Sequence, residues 1–341
     1  MKSELNQSTV VEEHVMFSAR RFIPPFFINY KVPSILFFIL LVFTIIWVPE
    51  FFNLQNMINV ARQASITGIV AIGMTFVVLT SGIDLSVGST LAIVGVSFAM
   101  LIQRGVPIWA TILIVLIIGI VMGLINGVGS TFFGIQPFIM TLAVMAMGAG
   151  FALLLSNGTP QSFVLESNLL VFLGNGSFLG IPGPVWIFVI ASIVAGTILK
   201  YLPFGRFVYG IGGSLEAARL SGVKTTRVLI LVYVISGACA AIAGIITTSR
   251  LYVGHPTAGG FIMLDSIAAV VIGGTSLMGG RGSVAGTVAG VCLLAMVANL
   301  LNLIGVSPFN QQIAKGLIII IAVLFTTPGL KDRIKQQWSS L

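Results

Sequence analysis

The sequence predicts an all-α polytopic membrane protein with about ten transmembrane helices and with both termini in the cytoplasm. Apolar residues make up 57% of its 341 residues and charged residues only 8%, whereas a soluble domain carries about 25% charged residues. The mean hydropathy is +1.10. The 39 glycines are also typical of membrane helices, because small residues let helix backbones approach each other closely in lipid.

Apolar runs of near membrane-spanning length define the predicted helices. A helix needs roughly 20 apolar residues to cross a bilayer, with about 17 as the lower limit. Nine runs reach or approach this length, namely Val32–Val48, Ile58–Leu79, Val87–Ile102, Ile108–Gly127, Pro137–Leu155, Pro184–Leu202, Val228–Thr247, Val284–Ile304 and Ile313–Thr327. A shorter run, Leu264–Gly274, is either a short span or a re-entrant hairpin.

The positions of the basic residues decide between these two alternatives. If Leu264–Gly274 crosses, most lysines and arginines lie on the inner side, and only Arg62, Arg104, Arg250 and Lys315 lie at the outer side. This asymmetry satisfies the positive-inside rule. We therefore predict ten spans in a membrane domain of residues 32–327, with an outer loop 156–183, an inner loop 203–227, and cytoplasmic tails 1–31 and 328–341.

The net charge of +8 does not indicate nucleic-acid binding, because the basic residues lie at the ends of apolar segments, where they orient helices. Cys239 and Cys292 lie inside apolar runs and are predicted to be small core residues. His14 and His255 are isolated and lack ligand spacing, so no metal site is predicted.

The inner loop contains a pattern typical of a short, complete helix. Ser214 is placed to cap its first amides. Glu216 lies near the positive end of the helix dipole and Arg219 near the negative end. Gly222 is placed to adopt the left-handed conformation that ends a helix. Because isolated helices of this length are marginal in water, the segment is either a linker on the membrane surface or a docking helix for a cytoplasmic partner.

Asp84 is one of only nine acidic residues and lies between two apolar segments. A carboxylate near hydrocarbon is costly and needs a local partner or a function. The segment Asp84-Leu85-Ser86 before an apolar run favours a helix cap that accepts amide and hydroxyl hydrogen bonds. Proton coupling is disfavoured, since proton relays use several intramembrane carboxylates or histidines. Asp265, at the start of the short run Leu264–Gly274, is the only other near-membrane candidate for proton coupling, and it could equally be a helix cap.

Two glycine-rich segments superficially suggest nucleotide binding. Gly273–Ser283 lacks the G-x-x-x-x-G-K-[ST] string of a phosphate-binding loop. Gly210–Gly213 lacks the strand and the downstream acid of a dinucleotide site. We predict no catalytic residues and no cofactor in this chain.

A pathway for a neutral polar cargo would use uncharged hydrogen-bonding side chains. Each such residue alone is also consistent with an interhelical hydrogen bond. The candidates are Asn59, Gln63, Gln136, Thr141, Asn299, Asn302, Gln311 and Gln312.

Several ordered blocks carry a family resemblance from about Pro33 to Thr327. They are Gly73–Ser89, Gln136–Ile139 with Thr141-Leu142, Asn157-Gly158, Phe204–Arg206 with Tyr209, Gly212-Gly213, Ala217–Gly222, Pro256–Gly259, Leu264-Asp265 and Ile267–Gly282. The chain resembles the permease subunits of bacterial ATP-driven (ABC) importers of the ribose/xylose/arabinose/galactoside type. Arg219–Gly222 and Asn302–Ser307 are most similar to ribose permeases.

The resemblance implies a non-catalytic subunit of the bacterial inner membrane that forms a homodimer around one path. It also implies a periplasmic or lipid-anchored sugar-binding protein outside, and inside an ATPase with two fused nucleotide-binding domains that holds ATP and Mg. The coupling residues would be Arg206, Ser214, Glu216, Arg219 and Gly222. The signature residues would be Gly82, Asp84, Ser86, Gly88, Asp265, Gly273 and Gly274.

Two departures from the family pattern bear on the cargo. Gly148–Gly150 lacks the arginine that relatives commonly carry there, and Met263 stands where relatives commonly have Glu. Another monosaccharide, a nucleoside or an autoinducer sugar is an alternative cargo. An autonomous proton-coupled sugar carrier is an alternative of another class, and a passive channel is a third, although the paired Asn-Pro-Ala loops of aquaglyceroporins are absent from the sequence.

Overall fold

The computed structural model describes residues 42, 44–164 and 167–326, and this part of the chain is mostly helical. The helices are α1 (Leu54–Leu79), α2 (Val87–Gln103), α3 (Ile108–Thr131), α4 (Pro137–Ser156), α5 (Asn168–Gly174), α6 (Gly183–Tyr201), α7 (Pro203–Gly213), α8 (Leu215–Leu220), α9 (Thr225–Leu251), α10 (Gly260–Ile272), α11 (Val284–Leu303) and α12 (Pro308–Thr326), after a 3₁₀ turn at Pro49–Phe52. Four two-residue strands are β1 (Gln161–Ser162), β2 (Ser177–Phe178), β3 (Ile181–Pro182) and β4 (Val253–Gly254). β1 pairs antiparallel with β4, and β2 with β3.

Six of these helices are long and apolar enough to cross a membrane, namely α1, α3, α4, α6, α9 and α11. α2 and α10 are shorter apolar helices of 17 and 13 residues. α12 coincides with the predicted last span, whereas the predicted first span, Val32–Val48, lies mostly outside the described residues. The structure supports a polytopic helical membrane protein, and the total of ten spans and the cytoplasmic position of both termini stay predictions.

The long helix α9 lies at the centre of the bundle and packs against α1, α2 and α3. α1 is buried over most of its second half, from Ala64 to Leu79. The core that these helices share includes Phe76 and Tyr233, which are each 1% exposed. We call the end of the bundle that carries residues 203–227 the inner end, and the end that carries residues 156–183 the outer end.

A run of glycines brings α3 and α9 into backbone contact. Gly119, Gly123 and Gly127 are spaced four residues apart on α3, which places them on one face of the helix. A Cβ atom on Gly123 would overlap the backbone carbonyl oxygen of Tyr233, and one on Gly237 would overlap that of Gly119. In lipid, small residues at this spacing permit the close van der Waals packing that holds helices together.

We expect Gly123→Val to destabilise the bundle strongly, because its side chain would force α3 away from the backbone of α9. Overpacking of a buried contact costs about 1–3 kcal/mol, which corresponds to a fall in melting temperature of roughly 1–4 °C for a chain of this length. Gly196→Val on α6 is the matched control, since no atom lies within 4 Å of a Cβ at that position. Equal melting temperatures for the two detergent-purified variants would contradict this account of the α3–α9 contact.

The short helix α10 begins at Gly260, four residues before the predicted start at Leu264. The residues before it run along α2, since Gly254 packs against Gly95 and Gly259 packs against Gly88. Helix α10 then leads to the glycine-rich loop at the inner end. Strand β4, the turn that follows it and the helix together therefore connect the two ends of the bundle, because 13 helical residues span only about 20 Å.

The described part of the outer loop 156–183 contains secondary structure that its polar sequence does not indicate. It contains α5, whose Leu170 is fully buried. The backbone carbonyl oxygen of Asn175 accepts a hydrogen bond from Arg62 Nη2 at 3.3 Å. The Asn175 side-chain amide donates to the carbonyl oxygen of Arg250 at 3.0 Å. These bonds attach the loop to the outer ends of α1 and α9.

The prediction that both cysteines are core residues is wrong for Cys292, which is exposed on α11. Cys239 is half-buried, and both thiols are free. The sequence could not distinguish the two positions, because a lipid-facing surface is as apolar as the interior of a membrane protein.

Candidate coupling element and buried carboxylate site

The predicted short helix of the inner loop is confirmed as α8, Leu215–Leu220. The Ser214 hydroxyl accepts a hydrogen bond from the Ala217 amide at 3.2 Å. Gly222 has a φ of +82°, which is the left-handed conformation expected after the helix. Glu216 and Arg219 are both exposed. The helix therefore offers one acidic and one basic side chain at the inner end of the bundle.

A second helix, α7, precedes α8 and was not predicted. Its glycine-rich sequence has low intrinsic helix propensity, and the burial of Val208 and Ile211 in the main core stabilises it instead. Arg206 is exposed on this helix. Helices α7 and α8 with the turn after them make up residues 203–222 of the inner loop 203–227, for which a coupling role is predicted, and we label this part the coupling element.

Backbone contacts fix the coupling element to two other segments at the inner end. Gly212 of α7 packs so closely against the carbonyl oxygen of Leu79 that a Cβ atom would overlap it. The same carbonyl accepts a hydrogen bond from the Gly280 amide at 2.9 Å. Tyr209 donates its hydroxyl to the carbonyl oxygen of Gly282 at 2.9 Å. A displacement of α7 would therefore act directly on the end of α1 and on the loop between α10 and α11.

Asp84 is 1% exposed and lies between three segments of the bundle. Its Oδ1 accepts hydrogen bonds from the amide of Ser86 at 2.9 Å and from the Ser86 hydroxyl at 2.6 Å. Its Oδ2 accepts from the Ser236 hydroxyl of α9 at 2.7 Å. Asn126 of α3 donates to the Ser86 hydroxyl at 2.7 Å and lies 3.5 Å from Asp84 Oδ1.

These bonds give Asp84 a wider role than that of a helix cap. The N-cap position of α2 is Ser86 rather than Asp84. Asp84 accepts amide and hydroxyl hydrogen bonds, as expected, but two of its neighbours come from α3 and α9. Its partners in the described part of the chain are neutral donors, so the carboxylate joins the α1–α2 loop to both helices without an ion pair.

The signature glycines lie at close contacts or in a left-handed turn. Gly82 packs against the Tyr233 hydroxyl, Gly88 against the carbonyl of Gly259, and Gly273 against that of Gly286. Gly274 has a φ of +84°. These positions demand glycine for close approach or for a left-handed turn.

Comparisons with known proteins identify the family of the chain. The family model described as "Branched-chain amino acid transport system / permease component" matches residues 56–323. The chain belongs to this permease family. The permease is 45% identical over 278 residues to the ribose import permease protein RbsC of Haemophilus influenzae, covering 81% of this chain and 86% of the relative. It is 45% identical over 292 residues to RbsC of Bacillus subtilis, covering 86% and 91%.

A third relative is the L-arabinose transport system permease protein AraH of Escherichia coli, which is 38% identical over 303 residues, covering 89% of this chain and 90% of the relative. No solved structure shows significant similarity to the permease. The family and the six apolar helices together identify a multi-pass protein of the bacterial inner membrane.

Asp265 of the permease is not a helix cap, because α10 begins five residues earlier at Gly260. It forms an ion pair with Lys315 of α12, with Oδ2 and Nζ 2.7 Å apart. No local sequence pattern indicates this pair, since the two residues are 50 positions apart. The pair neutralises a carboxylate that the sequence left as a second candidate for proton coupling.

The candidate path-lining residues of the permease do not form one cluster. Asn299 of α11 exchanges two amide hydrogen bonds with Asn56 of α1, at 2.8 and 2.9 Å. Asn59 and Gln63 are exposed one turn apart on α1. The pair Asn56–Asn299 was missed because Asn56 lies just before the run that predicted α1.

The remaining candidates lie elsewhere. Thr141 is fully buried and donates to the carbonyl oxygen of Ile83 at 3.1 Å, so it does not face a cavity. Gln136 is exposed at the start of α4, and Asn302 is exposed near the end of α11. Gln311 donates to the carbonyl oxygen of Val306 at 2.9 Å, and Gln312 is half-buried.

Proposed function

We propose that the chain is the transmembrane permease subunit of an ATP-driven importer of a monosaccharide, with ribose as the cargo. The observation that carries this proposal is the 45% identity to two ribose import permeases over more than four-fifths of the chain. Sugars are neutral and rich in hydroxyl groups, so amide side chains can recognise them through hydrogen bonds. Exposed Asn59 and Gln63, near the Asn56–Asn299 pair, are the candidate contacts on α1.

The proposal assigns ATP hydrolysis to a partner. This subunit would be non-catalytic, and an ATPase with two fused nucleotide-binding domains, holding ATP and Mg, would dock on the coupling element. Exposed Arg206, Glu216 and Arg219 would provide charged contacts, while Ser214 and Gly222 define the ends of α8. The contacts of α7 with Leu79 and with the 273–283 loop support a mechanical link from that element into the bundle.

Two further partners complete the proposed importer. A second copy of the chain would form the other half of a central path, and a periplasmic or lipid-anchored sugar-binding protein would dock at the outer end. The outer loop 156–183, which is attached to α1 and α9 through Asn175, supports a rigid docking surface there. Closure of the ATPase would then switch the path between outward and inward access.

A second cargo has support from a specific comparison. The 38% identity to an L-arabinose permease keeps arabinose as the alternative, while other monosaccharides, nucleosides and autoinducer sugars belong to the same class of function. An autonomous proton-coupled carrier is less well supported. Asp84 is engaged by neutral donors and Asp265 by Lys315, and proton relays use several titratable groups along a path.

Uptake in cells tests the proposal. A strain that lacks its ribose permease, but expresses the cognate ATPase and ribose-binding protein, should accumulate labelled ribose when it receives this gene. Excess unlabelled ribose should abolish the uptake, whereas excess L-arabinose should leave it unchanged. Normal membrane insertion and normal ATPase assembly without ribose uptake would refute ribose as the cargo.

A further inference from the structure

We infer that the permease binds an anionic phospholipid in a groove at the inner end of α9. The groove has a volume of about 400 Å³ and lies between α7, the turn after α8 and the first two turns of α9. Its walls are mainly apolar and include Phe204, Phe207, Val228 and Leu231, and its rim carries Lys224 and Arg227. It therefore combines an apolar slot with a pair of cations, which is the chemistry of a phosphate headgroup attached to acyl chains.

The groove extends from headgroup level into the hydrocarbon core, as a phospholipid does. The 27 residues of α9 make a helix of about 40 Å, whereas the hydrocarbon core is about 30 Å thick. Roughly three residues at each end therefore lie at headgroup level. This places Lys224 and Arg227 among the phosphates, and Val228 and Leu231 in the hydrocarbon.

No acidic side chain of the described residues forms an ion pair with Lys224 or Arg227. Lys224 and Arg227 are exposed, and the ion pair found among the described residues is Lys315–Asp265, which is elsewhere in the fold. Glu216 on the neighbouring α8 pairs with neither of them. Each basic residue near a membrane surface attracts anionic lipid by about 1 kcal/mol, and basic pockets between helices on the cytoplasmic side bind acidic headgroups.

The part of the groove that lies in the hydrocarbon argues against a water-soluble occupant. Leu231 is 49% exposed and Phe207 is 40% exposed. A cytoplasmic protein can reach the Lys224 and Arg227 rim, but it does not enter hydrocarbon to cover Leu231. An acyl chain covers both sides of the slot, while the phosphate reaches both cations. The lipid would then contact α7 directly, next to the segment that we propose as the coupling element.

Native mass spectrometry of the purified permease, without ATPase and without sugar, tests this inference. Phosphatidylglycerol and phosphatidylcholine are titrated separately onto the detergent-solubilised chain. We expect one tightly bound phosphatidylglycerol per chain and no comparable site for phosphatidylcholine. The variant Lys224→Gln with Arg227→Gln should bind phosphatidylglycerol about 10- to 30-fold more weakly.

Two further variants make the result specific. Lys200→Gln with Arg281→Gln removes two other exposed cations outside the groove and should bind like the wild type. Leu231→Trp keeps both cations but fills the apolar slot, so its binding should also weaken. Unchanged phosphatidylglycerol binding in the Lys224/Arg227 variant, or equal binding of the two lipids, would overturn the inference.

The same variants give different results if a protein, rather than a lipid, occupies the groove. If the ATPase covers it, the Lys224/Arg227 variant will lose ATPase binding in a pull-down and keep its phosphatidylglycerol site. If a second copy covers it, the variant will become monomeric with lipid binding unchanged. Either result overturns the lipid assignment. The inference does not depend on the proposed cargo, because no transport is measured.

Discussion

Replacing Glu216 and Arg219 together by alanine should reduce ATP-dependent uptake about tenfold or more, while the permease still inserts into the membrane. Helix α8 has only six residues, and helices of this length are marginal on their own. The acidic residue in its first turn and the basic residue in its last turn each stabilise it through the helix dipole by about 0.3–1 kcal/mol. Their loss weakens the helix and removes the charges proposed to contact the ATPase.

The uncoupling is measured as uptake against ATPase activity in the assembled importer. We expect ATP hydrolysis to continue and sugar transport to fall. The double variant Glu216→Asp with Arg219→Lys keeps both charges and serves as the matched control, which should transport nearly normally. Wild-type uptake by the alanine variant would refute the assignment of α8 as the coupling helix.

Asp84→Ala should lower the melting temperature of the detergent-purified permease by about 5 °C or more. The substitution leaves the Ser86 amide, the Ser86 hydroxyl and the Ser236 hydroxyl without their acceptor. Each buried donor that loses its partner costs about 1–3 kcal/mol, and the site lies where α3 and α9 meet the α1–α2 loop. We expect this to be the largest stability effect of any single polar substitution among the described residues.

Asp84→Asn is the control that separates structure from proton transport. Asparagine has the same shape and keeps one acceptor oxygen, so it should retain much of the thermal stability and of the uptake. Abolished uptake in a stable Asn variant would instead point to a proton-carrying role. Identical melting temperatures for the Ala variant and the wild type would contradict the joining role of Asp84.

The sequence predicted the elements whose signals are local. Apolar runs located the apolar helices α1–α4, α6 and α9–α12, and the Ser214 and Gly222 boundaries located α8. Local capping chemistry survives in any fold, because it depends on residues three or four positions apart. Helix α7 was not predicted, because it depends on packing with distant residues rather than on a local signal. Its glycine-rich sequence disfavours a helix, and only the packing of Val208 and Ile211 in the core overrides that preference.

The candidate sites were harder to predict because their contacts are distant in sequence. Asp84 is hydrogen-bonded to Ser236, which is 152 positions away in the sequence, and lies beside Asn126, which is 42 positions away. Asp265 meets Lys315 across 50 positions. No periodicity encodes such pairs. The α3 glycines at four-residue spacing did carry a readable signal for close helix packing on one face of α3, although the spacing does not identify α9 as the partner.

The most direct test of the central claim is sugar uptake by proteoliposomes that contain the purified permease and its partner ATPase. Ribose-binding protein is supplied on the outside and ATP inside. We predict ribose accumulation that requires both ATP and the binding protein and that persists in the presence of a protonophore. Accumulation without ATP that is abolished by the protonophore would contradict the account and identify an autonomous proton-coupled carrier.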